Sequence, residues 1–333
     1  MTRFNERLRV LVLGGGPSAE HEISLKTAEQ IYENLNPEKY EMHLATITHD
    51  GTWLVAPFLP MNADAACEKI KGIADIVFIA LHGEYGEDGT VQKLFEKHDI
   101  CYTGSGPEAS FTGMHKILSR AHFRATGLNV PKSFGFNYQV YERAQNDILS
   151  VIANNFLFPV IAKPTDRGSS VGVSIVETIS NLGQSIHNIF HYSPNAAAEE
   201  FIEGREITCG VIERRGGKII QLLPTEIIPK KSLFFDYESK YSDGGAEEIT
   251  PARIPKSVLL RAQETAVVAH KALGCRGYSR TDMIWNKNDG KFYVLEINTL
   301  PGLTQASIFP KAAIASGIRF SELLDRIIET ALF

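Results

Sequence analysis

Residues 8–13 (LRVLVL) run directly into Gly14-Gly15-Gly16, and apolar side chains then recur at Ile23, Leu25, Ala28, Ile31 and Leu35. A short apolar run stopped by glycine, then a 3.6-residue period, predicts a buried strand, a tight turn and a helix over 18–34. Residues 40–48 (YEMHLATIT) and 75–81 (DIVFIAL) predict two further strands of the same kind. Strands alternating with helices imply an α/β unit, a doubly wound and mostly parallel sheet with helices on both faces. Ligands of such sheets sit beyond the carboxyl ends of the strands. Two of those ends carry polar clusters, 14–22 and 82–90.

At 333 residues the chain exceeds what one core sustains, roughly 250–300 residues, so two or three lobes are expected. Its 44% hydrophobic and 22% charged residues exclude disordered, collagen-like and disulfide-scaffold classes. The net charge of −5 gives no basic excess that would call for nucleic acid or an anionic membrane. Cys67, Cys101, Cys209 and Cys275 are scattered without a CxxC pair, as in a protein of a reducing compartment. Residues 1–7 lack the apolar core of a signal peptide, and no apolar run approaches a membrane span.

After Gly104-Ser105-Gly106-Pro107 the texture changes. A basic helix is predicted over 114–126, and a strand over 158–163 ending in Lys163 before a polar glycine loop, 164–172. Strands follow at 173–176, 198–202, 206–212 and 219–226, and an exposed loop at 239–250. Next come a helix at 257–273, an antiparallel hairpin of 279–285 with 291–298 around Asn288-Asp289-Gly290, and a closing helix at 321–331. Lobe boundaries are placed near 106 and near 200, dividing the chain into 1–106, 107–199 and 200–333.

Four constellations carry chemistry. Gly14-Gly15-Gly16-Pro17-Ser18-Ala19 fits a dinucleotide-binding loop loosely, yet Glu20 and Glu22 stand at the helix start, where they would repel a pyrophosphate. They either cap the helix or face a cation such as a substrate ammonium. Lys163 followed by Gly168-Ser169-Ser170-Val171-Gly172 places free backbone N–H groups beside a cation, a phosphate cradle or else a surface hairpin; it is not a Walker A loop. In Arg280-Thr281-Asp282 and Glu296-Ile297-Asn298, strand alternation puts Arg280 with Asp282 on one face and Glu296 with Asn298 on another. If the strands pair, three oxygen donors converge, a set suited to Mg²⁺ on nucleotide phosphates; otherwise they form a surface ion-pair ladder. Glu199-Glu200-Phe201-Ile202 with Glu206 reads as a strand edge for adenine and ribose, or as a solvated charge run. Jointly these describe an ATP·Mg²⁺ site without a P-loop.

The order KPTDRGSSVGV, EEFIEGRE, SRTDM and VLEINTLPGLT resembles the ATP-grasp superfamily; with LGGGPSAEHEISL, LHGEYGEDGT and YTGSG it resembles the D-alanine–D-alanine ligases over about residues 8–330. The resemblance implies a two-lobed ATP-grasp fold after the N-terminal domain, and ligation of two D-alanines through an acyl phosphate for peptidoglycan precursors. It implies ATP and two Mg²⁺ ions, with Mn²⁺ as a substitute, D-alanine as substrate, a homodimer and a bacterial cytoplasm. By resemblance Glu20 holds the first D-alanine's ammonium and His82 sits beside it. Lys116, Lys163, Ser169, Ser170 and Val171 hold the phosphates; Glu199, Ile202 and Glu206 hold adenine and ribose; Asp282, Glu296 and Asn298 hold the metal. Arg280 and the Gly302 N–H stabilise the acyl phosphate and oxyanion, and Lys240 and Ser307 bind the second carboxylate. Tyr241 latches a lid through Ser169 and Glu20. His115 departs from the family's usual Asp or Asn before Lys116, and Ala246-Glu247-Glu248 has no assigned packing.

Three alternatives stand beside this. A ligase for D-lactate or D-serine differs in the second substrate, and Lys240-Tyr241 argues for the dipeptide product. An NAD-dependent dehydrogenase, with Asp50 as its ribose acid, leaves Asp282, Glu296, Asn298 and the Lys163 loop without a task. A non-catalytic nucleotide-binding module leaves the filled substrate positions unexplained.

Overall fold

The computed structural model describes residues 7–166, 172–214, 216–230 and 245–332. The first sheet comprises β1 (Leu8–Gly15), β2 (Tyr40–Ile47), β3 (Trp53–Val55) and β4 (Ile76–Ile79), in the order β3-β2-β1-β4. β1 pairs in parallel with β2 and β4, as strands joined by the helices α1 (His21–Asn34) and α2 (Ala63–Ile73) must. β3 runs antiparallel to β2, so the sheet is mixed at one edge, where the turn at 48–52 is too short for a crossover helix. The helix predicted from 18 begins at His21 because Ser18 is spent in the turn, its Oγ donating to the His82 carbonyl at 2.7 Å.

Beyond α3 (Thr90–Lys97), the basic helix predicted over 114–126 is α5 (Lys116–Ala125), and a helix that was not predicted, α4 (Pro107–Met114), precedes it. His115 between them is extended, at φ −90° and ψ 97°. A second, antiparallel sheet has the order β5-β8-β6-β7, from β5 (Ser133–Asn137), β6 (Val160–Pro164), β7 (Ser174–Val176) and β8 (Asn195–Glu200). α6 (Tyr138–Asn155) and α7 (Ile179–Ile189) cover it, closing a core around Ile152, Val160, Leu182 and Ile186.

The third sheet runs β12-β11-β9-β13-β14 with β10 beside β9. Its strands are β9 (Arg205–Arg214), β10 (Lys218–Gln221), β11 (Thr225–Pro229), β12 (Ala246–Ile249), β13 (Tyr278–Trp285) and β14 (Phe292–Asn298), with α8 (Lys256–Ala272) against them. The strand predicted over 219–226 is two strands broken before Pro224, which has no N–H to give a ladder. Part of the loop predicted over 239–250 is strand β12, paired with β11, where Lys311 reaches Glu248 at 2.9 Å; residues 239–244 lie outside the described residues.

The last helices, α9 (Ile308–Ala315) and α10 (Phe320–Ala331), return to the first sheet. Leu323, Leu324, Ile327 and Ile328 belong to one buried cluster with Val10, Leu11, Val12 and Leu13. Each such side chain contributes roughly 1.5–3 kcal/mol by leaving water, so the two chain ends hold each other firmly. Tyr40 adds a hydrogen bond to Asp325 at 2.8 Å. The cysteines are free; Cys67, Cys209 and Cys275 are buried, and burial pushes each of these thiols up to about 12.

Candidate active site

The carboxyl ends of β1 and β4 face the hairpin β13–β14 across a cleft. After β4 the chain turns at His82 and Gly83, where φ is +71°. A Cβ at Gly83 would come within 2.8 Å of Glu20 Oε2, so only glycine lets that carboxylate rest against this backbone. Glu20 is the N-cap residue of α1, and its side chain makes no cap hydrogen bond. His82 is buried; its Nε2 lies 2.9 Å from Thr27 Oγ1, and its backbone N–H donates to Ser24 Oγ at 2.9 Å. Burial lowers the His82 pKa, against the opposing pull of Glu20 and a hydrogen bond to the Leu300 backbone, so the ring is neutral at pH 7. Through Leu300, His82 ties the first sheet to the loop that follows β14.

On that far side Asp282 and Glu296 are direct partners across β13 and β14, and Arg280 stands opposite Asn298. Opposed residues of an antiparallel pair share a face, so the register makes 282 and 296 cross-strand partners and sets 298 two residues along from 296 on the same strand. A bulge after Asp282 shifts the register for the apolar remainder of the hairpin. Arg280 grips Asp282 with both arms, Nε to Oδ1 at 2.9 Å and Nη2 to Oδ2 at 2.8 Å. Thr208 on β9 donates to the same Asp282 Oδ1. Burial disfavours the Arg280 charge, but Asp282 and then Glu296 outweigh it and hold the guanidinium protonated. Two facing carboxylates with an amide oxygen make a hard, all-oxygen donor set that fits Mg²⁺. Asn298 Oδ1 also accepts from the Leu300 N–H at 2.9 Å, which orients its amide.

The third wall is cationic. Lys116, the first residue of α5, is buried and lies 3.3 Å from Glu296 Oε2. Lys163 Nζ on β6 lies 2.7 Å from Glu199 Oε2 on β8. Burial and the nearby Arg120 depress the Lys163 pKa to about 8, only partly countered by Glu199. Burial pushes Glu199 upward, but Arg120 and Lys163 reverse that and hold it below its ordinary range. Ile202 is buried just after β8, and Glu206 is half-buried on β9. Gly302 and Ser307 sit together in the loop before α9: a Cβ at 302 would meet Ser307 Oγ at 2.8 Å. Ser169, Ser170, Val171, Lys240 and Tyr241 lie outside the described residues.

Three contributors were not singled out from the sequence: Arg120, Thr208 and Glu87. The GEDGT run contained Glu87, but only the folded loop aims it at Gly83, whose N–H donates to Glu87 Oε2 at 2.9 Å. His21, Glu22 and His49 also cluster, with ligand atoms within 4.8 Å. The two rings stack at 3.9 Å with 24° between planes, and His21 Nδ1 lies 2.6 Å from the Gly16 carbonyl oxygen.

Comparison with known proteins bears on this arrangement. A family model described as D-ala D-ala ligase C-terminus matches residues 122–329, and one described as D-ala D-ala ligase N-terminus matches 9–69 and 56–105. The chain is 43% identical over 329 residues to a D-alanine–D-alanine ligase of Syntrophobacter fumaroxidans, covering 98% of both chains. Among solved structures it is similar to the VanG D-Ala:D-Ser ligase of Enterococcus faecalis, with TM-score 0.85 and 31% identity over 98% of this chain and 100% of that one. It is also similar to the Bacillus anthracis D-alanine–D-alanine ligase complexed with ATP, with TM-score 0.78 and 33% identity over 98% and 97%.

Proposed function

The chain belongs to the D-alanine–D-alanine ligase family, and from that premise we propose that the cleft between Glu20, Lys163 and the 282/296/298 cluster joins two D-alanines through an acyl phosphate. The chain is an ATP-dependent ligase with an ATP-grasp fold, and its product serves cell-wall synthesis. The observation that carries the reading is the pairing of Asp282 with Glu296 beside Arg280, opposite a cationic wall.

A carboxylate oxygen is a poor leaving group and phosphate a good one, so the chain must hold several anions together and keep water out. Glu20 takes the first D-alanine's ammonium, and neutral His82 packs beside that substrate. Lys116 and Lys163 draw the ATP phosphates, and the backbone N–H groups of Ser169, Ser170 and Val171 close over them. Glu199, Ile202 and Glu206 receive adenine and ribose, while Glu199 also aims Lys163. Asp282, Glu296 and Asn298 would hold two Mg²⁺ ions, or Mn²⁺ in their place. When bound, these ions drain charge from the transferring phosphoryl group. Arg280 and the Gly302 N–H receive the acyl phosphate oxygens and the oxyanion formed when the second amine attacks. Lys240 and Ser307 orient the second D-alanine by its carboxylate. Tyr241 latches over the site through Ser169 and Glu20.

The chain divides at 106 and 199 into substrate, central and C-terminal lobes, and it works as a cytoplasmic homodimer. No helix among the described residues is long and apolar enough to cross a membrane. A D-serine or D-lactate product is less favoured, since curated relatives at 36–43% identity carry the D-alanine–D-alanine name.

The test is ADP release with Mg·ATP and D-alanine alone. Turnover supports the dipeptide product. Turnover only after adding D-serine or D-lactate moves the assignment to that product. Tight NADH binding with no ATP binding would sink the ligase reading. Arg280→Lys keeps the charge but loses the two-armed grip on Asp282; ligation should fall at least 100-fold while metal-free ATP binding holds, by the usual size of an oxyanion-stabilising group.

A further inference from the structure

Glu87 is a half-buried residue whose carboxyl group the roles above leave unused. Its Oε2 accepts the Gly83 N–H at 2.9 Å. Its Oε1 is buried with no hydrogen-bond partner. On the same glycine, the Glu20 carboxylate lies where a Cβ would meet Oε2 at 2.8 Å. Two carboxyl groups thus flank one peptide unit at the mouth of β4, one of them with an unsatisfied oxygen. An ionised oxygen so placed loses its solvation with nothing in return. The favourable states are two: a proton on the carboxyl, or a cation brought by a ligand.

The groups facing Glu87 come from every wall of the cleft. Glu20 at the start of α1 and Glu296 on β14 repel its charge, and Arg280 on β13 attracts it. Tyr278 on β13, held neutral by burial, faces it too. Within its own loop His82 is neutral, and Asp88 is committed to the Tyr85 and Thr90 N–H groups at 3.0 and 2.9 Å. Burial first, then Glu20, push the Glu87 pKa to about 8, so the empty cleft keeps it protonated at pH 7.

We propose that Glu87 is a second carboxyl of the first D-alanine's ammonium pocket, protonated in the empty cleft and releasing its proton to solvent when the ammonium settles between it and Glu20. The balance is simple: the substrate arrives as R–NH₃⁺, the carboxyl O–H becomes carboxylate, and one H⁺ leaves. This rests on the functional reading given above.

The test is calorimetry of D-alanine binding to the full chain with Mg²⁺ and a non-hydrolysable ATP analogue, in buffers of differing ionisation enthalpy. Glu87→Gln keeps the acceptor for the Gly83 N–H but has no proton to release. At pH 7 the wild type should release on the order of one more proton per site than Glu87→Gln, and the difference should fade as pH rises past 8, where the empty site is already ionised. The KM for the first D-alanine should rise about tenfold in the variant, with kcat less affected, the loss of one charge-assisted contact. Equal proton counts alongside normal turnover overturn the role of Glu87 and leave the ligase reading standing. Absence of turnover with D-alanine overturns both. Should Glu87→Gln fail to fold, the wild type decides alone: a protonated-carboxyl infrared band that vanishes on adding D-alanine supports the assignment, and no such change refutes it.

Discussion

Lys163 Nζ lies 2.7 Å from Glu199 Oε2, and the same carboxylate is gripped by Arg120, whose Nη2 reaches Oε1 at 2.8 Å. All three groups are buried. One carboxylate therefore fixes two cations. The pairing looks redundant, but a lone buried lysine would shed its proton and a lone buried glutamate would take one up.

Arg120 is for this reason a stability residue. Arg120→Met leaves Glu199 with Lys163 alone. Breaking a buried ion cluster from one side costs about 3–5 kcal/mol. Urea unfolding should show a loss of unfolding free energy of that size, and a change below about 1 kcal/mol would mean that Glu199 is solvated after all.

Lys163 imposes a pH dependence of known sign. Its folded pKa is depressed to about 8 from 10.5, so between those values the unfolded chain binds the extra proton. Its contribution makes stability rise with pH across 8–10.5, and that slope should vanish in Lys163→Met. Affinity for ATP should move the opposite way, falling above pH 8 as the empty site loses its cation. Lys163→Arg, which stays charged, should flatten the fall; titration calorimetry from pH 6.5 to 9.5 would reveal an unchanged slope if Lys163 has no part in binding.

Thr208 steadies Asp282 from behind. Thr208→Val removes the hydroxyl that donates to Oδ1 while keeping nearly the same shape. Losing such an orienting partner commonly costs 10–100-fold in metal affinity. The Mg²⁺ concentration for half-maximal ADP release should rise about tenfold, with unfolding little altered. A shift in unfolding alone would make Thr208 a packing residue.

Gly83→Ala combines two penalties. The positive φ costs an L-residue about 1–2 kcal/mol, and the added methyl meets Glu20 Oε2 at 2.8 Å. The thermal midpoint should drop by several degrees, and the KM for D-alanine should rise more than the KM for ATP. Equal changes in both would argue that Glu20 lies away from the substrate.

Much of the frame was legible in local pattern. Residues 8–13 with three glycines announce a strand, turn and helix because side-chain periodicity and positive-φ glycine belong to neighbouring residues. Alternation likewise told that Arg280 shares a face with Asp282, and the turn at 288–290 told that the partner strand follows at once, so the 282/296 pairing needed only a hairpin. Local pattern failed where a neighbour decided the outcome. The helix over 107–114 went unread because Pro107 and Gly113 resemble turn residues, and residues 246–249 are strand only because β11 offers them an edge. Arg120 read as one basic residue on a helix, yet its partner Glu199 is 79 positions away. Glu87 stood inside a quoted motif without a role, because desolvation and an orphaned oxygen are properties of an enclosed loop and not of a string of letters. The sequence alone therefore determined which short segments become strands and helices and which chemistry their ends carry. Only the packing of α9 and α10 back onto the first sheet, with Leu300 meeting His82, decided that those ends face one another, since burial free energy is gained between surfaces that the chain order does not place side by side.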